Sequence, residues 1–271
     1  MKRLWESGRL FISVLSAMLI FSISLAGCGK SANGSGTLKV GVRSDIINLG
    51  YLNEDTGRYY GLEIDIAGEM AKRMGYSDVE FIEVTPDNRK QTLLDGKADC
   101  LVAAYTISDT RLENFDFSPA YYTDTMRVMV ERSTMFTTLA HLKDKNIGVL
   151  SGSSAGPLLV QKMTELGMID GQVISENDRE ILFDNVKITR APSYEQLSVM
   201  LEEGAIDAAC LDGSIASTYM DESRTFLDTA ISEQEYGVAS QKGSELSKEI
   251  AGTIQEMLDD GTIKELIDKW D

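Results

Sequence analysis

The chain has 271 residues, with 26 Lys plus Arg against 43 Asp plus Glu, a formal charge of −17 at pH 7 and a single histidine. Such acidity, with no basic run outside the first ten residues, excludes a nucleic-acid binder, which needs clustered Lys and Arg to displace counterions; one histidine also removes most zinc sites and Ser-His-Asp chemistry. With 43% apolar and 25% charged residues the composition is that of a globular protein, long enough for one large domain or two of about 100 to 150 residues each.

Lys2, Arg3 and Arg9 precede an apolar stretch, 10–27 (LFISVLSAMLIFSISLAG), that ends at Cys28. A basic start, an apolar run and small residues before a cut are the parts of an export signal. The run is also long enough to be weighed as a membrane span, which takes about 17 to 25 residues. What decides is Leu25-Ala26-Gly27-Cys28, which resembles the lipobox of bacterial lipoproteins. That resemblance implies removal of residues 1–27, a diacylated Cys28 and an exported domain held at the extracytoplasmic face of the membrane by lipid. Residues 28–36 then form the lipidated cysteine and a Gly/Ser-rich tether (GKSANGSG), whose eight residues reach roughly 15 Å.

From residue 37 onward, strand-like apolar runs alternate with helical patterns, which predicts an α/β fold. Residues 38–42 read as a first strand. Leu62, Ile66, Met70 and Met74, with Ala67 and Ala71 beside them, give the buried stripe of a helix closed by Gly75. A strand at 79–84, a short helix through Leu93 and Leu94, and an almost fully apolar strand at 98–104 follow. The same order restarts at 147–150, with a helix over 154–166, a strand at 186–189, a helix through Tyr194, Leu197 and Leu201, and a strand at 206–211. The segments 94–99 and 201–207 share one design of helix end, Gly, small residue, Asp and apolar strand, which implies two lobes of similar construction. The tail, with a helix through Leu246, Ile250, Ile254 and Leu258 and a shorter one to Trp270, is expected to return and complete the first lobe. Cys100 and Cys210 lie in apolar runs and read as buried free thiols, with a bridge between them as the open alternative.

Gly152-Ser153-Ser154-Ala155-Gly156 fits the G-x-S-x-G pattern of a hydrolase nucleophile elbow, but that fold needs a histidine downstream and His141 lies upstream. His141 reads as a solvated linker residue. Small residues at a helix start expose unpaired N–H groups, so the same segment reads better as a docking point for an anion.

Six segments in order then carry a resemblance: Gly41 to Asp45 (GVRSD), Tyr60 to Asp65 (YGLEID), Asp99 to Arg111 (DCLVAAYTISDTR), Asp116 to Tyr122 (DFSPAYY), Gly152-Ser153-Ser154 and Cys210-Leu211-Asp212. Together they are similar to the type II solute-binding proteins of ABC importers for polar amino acids, solute-binding family 3, over nearly all of 37–271. The resemblance implies two α/β lobes, each a central mixed sheet flanked by helices, joined by two hinge strands: 37–128 with 233–271 as lobe 1 and 129–232 as lobe 2. It implies no catalysis, no cofactor, no metal and a monomer that delivers its ligand to permease subunits and their ATPase. Arg111 falls where the family pairs the ligand α-carboxylate, with Thr106, Ser153 and Ser154 as donors; Asp212 takes the α-ammonium, helped by the Ala104 carbonyl. This division suits a head group that carries both charges. Ala104 replaces a hydroxyl residue found in many members, and Ile47 and Leu49 stand where relatives often have Pro and an aromatic. Tyr51, Tyr60 and Tyr105 are the remaining candidates for stacking on a ligand.

Arg43 and Arg89 lie at carboxyl ends of strands, where ligands of open α/β sheets bind. They resemble the arginine pair that holds the side-chain carboxylate in relatives that bind aspartate or glutamate, so an acidic amino acid is expected, with glutamine next. A cleft enzyme similar to cyclohexadienyl dehydratases is the alternative on this scaffold. It would need a general acid of raised pKa in the cleft, a place to which the sequence does not assign Glu63 or Glu113.

Overall fold

The computed structural model describes residues 36–270. The expected export signal, Cys28 and most of the tether lie outside the described residues. Two mixed sheets organise the fold. In the first the strand order is Asp78–Glu83, Thr37–Val42, Cys100–Val102, Ala239–Gln241, Phe115–Phe117. The first three run parallel, and Ala239–Gln241 is antiparallel to both of its neighbours. The end of the chain therefore returns to the sheet that its beginning starts. In the second sheet Val186–Ala191, Lys145–Leu150 and Ala208–Asp212 form a parallel centre. Tyr122–Glu131 runs antiparallel beside it and carries Arg224–Phe226 and Ser232–Tyr236 on its far side. Tyr122–Glu131 and Ser232–Tyr236 are the strands on which the chain crosses between the two sheets, paired from Tyr122 with Tyr236 to Met126 with Ser232.

Periodicity explains the helices. Leu62–Arg73 buries Leu62, Glu63, Ile66, Ala67 and Met70 on one stripe and places Glu63 and Asp65 in its first turn and Lys72 and Arg73 in its last, as the helix dipole favours. It packs against Glu245–Asp259 and Thr262–Trp270, and Asp65 accepts hydrogen bonds from Trp270 Nε1 at 2.7 Å and Lys269 Nζ at 2.6 Å. Ser193 and Ser244 cap Tyr194–Glu202 and Glu245–Asp259 by accepting from the backbone N–H of Gln196 and Ser247. Cys100 and Cys210 are buried free thiols in different sheets, as read from their apolar surroundings.

One local feature differs from the sequence expectation and two add to it. The apolar run expected as a strand over 98–104 pairs only at Cys100–Val102, because Ala104 adopts a left-handed φ of 45° and donates its N–H to the Glu63 carboxyl at 2.6 Å rather than to a neighbouring strand. Residues 45–60, without strong periodicity, form a small antiparallel sheet of Asp45–Ile46, Gly50–Asn53 and Arg58–Tyr60. His141 is exposed but not idle, since its Nδ1 completes a capping box with Thr138 and its ring stacks on Phe136.

Candidate functional site

Loops from both sheets meet between the two crossing strands. Thr106 follows the Ala104 turn and bridges to Tyr236 on the returning strand. Ser153 and Ser154 lead into helix Ala155–Glu165 from the end of strand Lys145–Leu150. A cavity of about 550 Å³ opens here, lined by Thr106, Arg111, Thr123, Ser153, Ser154 and Gln234 among others. Four of the sequence-derived site residues thus share one cavity. Arg43, Arg89, Ala104 and Asp212 do not line it, and Asp212 is joined to it through Gln234.

Gln234 is the residue the sequence reading missed. Its carbonyl oxygen accepts from Thr106 Oγ1 at 2.8 Å and from Ser154 Oγ at 2.5 Å, and its Nε2 donates to Asp212 Oδ1. With Asp212 ionised, its oxygens only accept, so the NH₂ end of Gln234 faces it. The signal for it was the alternation Gln234, Tyr236 inward and Glu233, Glu235 outward along strand Ser232–Tyr236. Ser153 instead turns its hydroxyl to the Leu150 carbonyl at 2.7 Å.

Burial sets the charges. Asp212 ends strand Ala208–Asp212 with 7% exposure; burial first, and then the neighbouring Asp124, push its pKa up to about 7. Arg111 rests on the Thr106 carbonyl through Nη1 at 2.8 Å. Arg89 opens helix Arg89–Leu94 at 3% exposure, and its Nη1 donates to the carbonyls of Ala103 and Ala104 at 2.7 and 3.1 Å while Nε has no partner. Burial, then Arg111 and Arg43, bring its pKa down to about 9. The Arg89 and Arg111 guanidinium groups both lie over the Tyr105 ring, at 4.4 and 4.2 Å from its centroid. Arg43, 2% exposed, forms a two-point pair with Asp45 at 2.9 and 2.6 Å and lies over Tyr194, which comes from the other sheet's side. Of the tyrosines weighed for stacking, Tyr105 stacks on arginine, and Tyr51 and Tyr60 are exposed in the small sheet.

The lobes also touch at the rim. Ser151 Oγ donates to Asp87 Oδ1 at 3.0 Å, and Gly152 sits so close to that loop that a Cβ on it would stand 2.7 Å from the Asp87 nitrogen. The G-x-S-x-G glycine is thus required for lobe approach rather than for a nucleophile. Among the described residues no group of three or more His, Cys, Asp or Glu could hold a metal ion, and no helix is long and apolar enough to cross a membrane.

Comparison with known proteins agrees with this architecture. The model of the bacterial extracellular solute-binding proteins, family 3, matches residues 38–271. The chain belongs to that family. It is 27% identical to the ABC transporter glutamine-binding protein GlnH of Bacillus subtilis (strain 168), over 92% of each chain. It is also 27% identical to the L-cystine-binding protein TcyJ of Escherichia coli (strain K12), over 97% of this chain and 93% of that one. An ancestral arginine-binding protein solved with arginine superposes with a TM-score of 0.73 at 28% identity, over 87% of this chain and 98% of the other. The fold is accordingly the two-lobe type II periplasmic-binding-protein fold, and the family places the chain outside the cytoplasm.

Proposed function

We propose that this protein is the lipid-anchored receptor of an ABC importer and captures an acidic L-amino acid, glutamate or aspartate, between its lobes for delivery to the permease. The observation that carries this reading is a pair of arginines near the cleft, Arg89 and Arg111, that lack a described carboxylate partner within ion-pair distance. Their polar contacts are backbone carbonyls, and burial first, then Arg111 and Arg43, depress the Arg89 pKa. Two carboxylates are what such a site would take: an α-carboxylate for Arg111 with donors from Ser153 and Ser154, and a side-chain carboxylate for Arg89 with Arg43. The α-ammonium then falls to Asp212. Closure follows because only the closed form offers the ligand both lobes.

Glutamine is the second reading, favoured by the Arg43–Asp45 pair, which already offsets one of the positive charges. A competition series with glutamate, aspartate, glutamine, cystine, arginine and histidine on wild type, Arg43→Met and Arg89→Met separates the two. Acidic ligands should bind best and lose most in the variants. Wild-type preference for glutamine or arginine, or equal loss for all ligands, would make these arginines structural. Enzymatic use of the cleft gains no support from Glu63, which is fully buried and engaged with Ala104 and Tyr121.

Ligand affinity should also depend on pH. The ammonium selects the ionised Asp212, whose pKa in the free cleft lies near 7, so binding should weaken by up to about tenfold per unit as pH falls below that value and level off above it. A flat profile from about pH 5.5 to 8 would remove Asp212 from the head-group site. For the anchor, Cys28→Ser should leave ligand binding intact and abolish labelling by a fatty-acid probe; a variant that still labels would point to another attachment.

A further inference from the structure

The Ala104 turn is held from both of its faces. Its N–H donates to Glu63 Oε1 at 2.6 Å, and the Ala103 and Ala104 carbonyls accept from Arg89. Ala104 needs this hold, since an L residue at a φ of 45° is unfavourable relative to extended backbone. Tyr121 donates its hydroxyl to the same Glu63 oxygen, so one buried atom gathers two donors. The Glu63 backbone is fixed in turn: Leu62 and Glu63 donate their N–H groups to the carbonyls of Asn48 and Leu49 at 2.8 and 2.9 Å. Downstream of the turn stands Thr106, whose carbonyl carries Arg111 and whose hydroxyl meets Gln234.

We propose that Glu63 is a positioning residue for ligand binding: from beneath the cleft, without touching the ligand, its carboxyl holds the Ala104 turn in the left-handed conformation that aims Thr106 and Arg111 at the amino-acid head group. The proposal rests on the reading of Arg111 and Thr106 as head-group residues. The role is one of geometry rather than charge. Burial opposes ionisation of Glu63, while Tyr121, the Ala104 N–H, Arg43 and Arg89 favour it, leaving its pKa near 7. An oxygen acceptor for Ala104 remains in either protonation state. An amide should therefore serve as well as the acid, whereas an apolar group of similar size should not.

The test is calorimetry with L-glutamate and L-glutamine on wild type, Glu63→Gln, Glu63→Leu and Glu63→Leu with Ala104→Gly, with melting temperatures recorded alongside. Glu63→Gln should bind within about threefold of wild type, and Glu63→Leu should lose about 5- to 30-fold, the cost of an unheld left-handed residue. Adding Ala104→Gly should recover part of that loss, because glycine takes the conformation without help; a merely structural defect of the core would not be repaired there. Should Glu63→Leu fail to fold, Ala104→Val leaves Glu63 in place and should weaken binding by a similar factor, since a β-branched side chain disfavours the turn from the other side. Wild-type affinity in folded Glu63→Leu or in Ala104→Val, or a loss in Glu63→Gln equal to that in Glu63→Leu, overturns the proposal. Failure of wild type to bind either probe or any other amino acid overturns the receptor reading on which it rests.

Discussion

Asp212→Asn should weaken every amino-acid ligand by roughly 10²- to 10⁴-fold while leaving the protein at least as stable as wild type. The affinity loss follows from the proposed role of Asp212 as partner of the α-ammonium, since an unpaired charge in a desolvated site costs about 3 to 5 kcal/mol. Stability moves the other way. The Asp212 pKa is raised from 3.8 to about 7 by burial and by Asp124. A carboxyl whose folded pKa exceeds its unfolded one costs stability once pH rises above the unfolded value, and the full cost is present above the folded one. The neutral amide escapes that cost and still accepts from Gln234. Binding assays and thermal melts at about pH 7.5 check both halves. Unchanged affinity would place the head group elsewhere, and a large fall in melting temperature would make Asp212 a structural residue.

Gly152→Ala should separate binding from closure. The added Cβ would lie 2.7 Å from both the Asp87 nitrogen and the Pro86 carbonyl carbon, and 2.5 Å from Asp87 Oδ1. Two of those atoms are backbone, so no rotamer change relieves the contact. A collision of this kind costs about 1 to 3 kcal/mol and exists only while the lobes are together, which predicts an affinity loss of roughly 5- to 150-fold. The positive φ of Gly152, 67°, adds strain that acts on open and closed forms alike and shows as lower stability instead. Small-angle scattering with saturating ligand should report a more open particle than wild type. A variant that closes and binds like wild type would mean that the rim contact between Asp87 and the Gly152 turn is not part of the ligand-bound form.

How much of this was legible in sequence depends on how local each feature is. Thr106, Arg111, Ser153 and Ser154 sit in short runs between a strand and a helix, where backbone geometry and residue type belong to one segment, and the structure gathers them at one cavity. Glu63 was legible in part. It stands four residues before Ala67, beside the stripe read from the sequence, and the structure buries it, but what it meets there depends on a turn 41 residues along the chain. Gln234 stands in an otherwise charged and polar strand, and its role arises because three segments from both lobes converge on it. The early end of the strand at Val102 had the same cause. Residues 98–104, apolar apart from Asp99, fit a continuous strand, and the left-handed Ala104 with its tertiary partner Glu63 ends it at Val102.

Recognition of a free amino acid by its head group can be checked by calorimetric titration of the protein with L-glutamate, L-glutamine, D-glutamate and glutarate. Saturable binding of an L-amino acid is expected, with glutamate ahead of glutamine. The D-enantiomer and the dicarboxylate without an ammonium should each be weaker by at least about a hundredfold, because Asp212 then has no partner or the wrong one. Equal binding of glutarate and L-glutamate would contradict head-group recognition, as would the absence of binding by any L-amino acid.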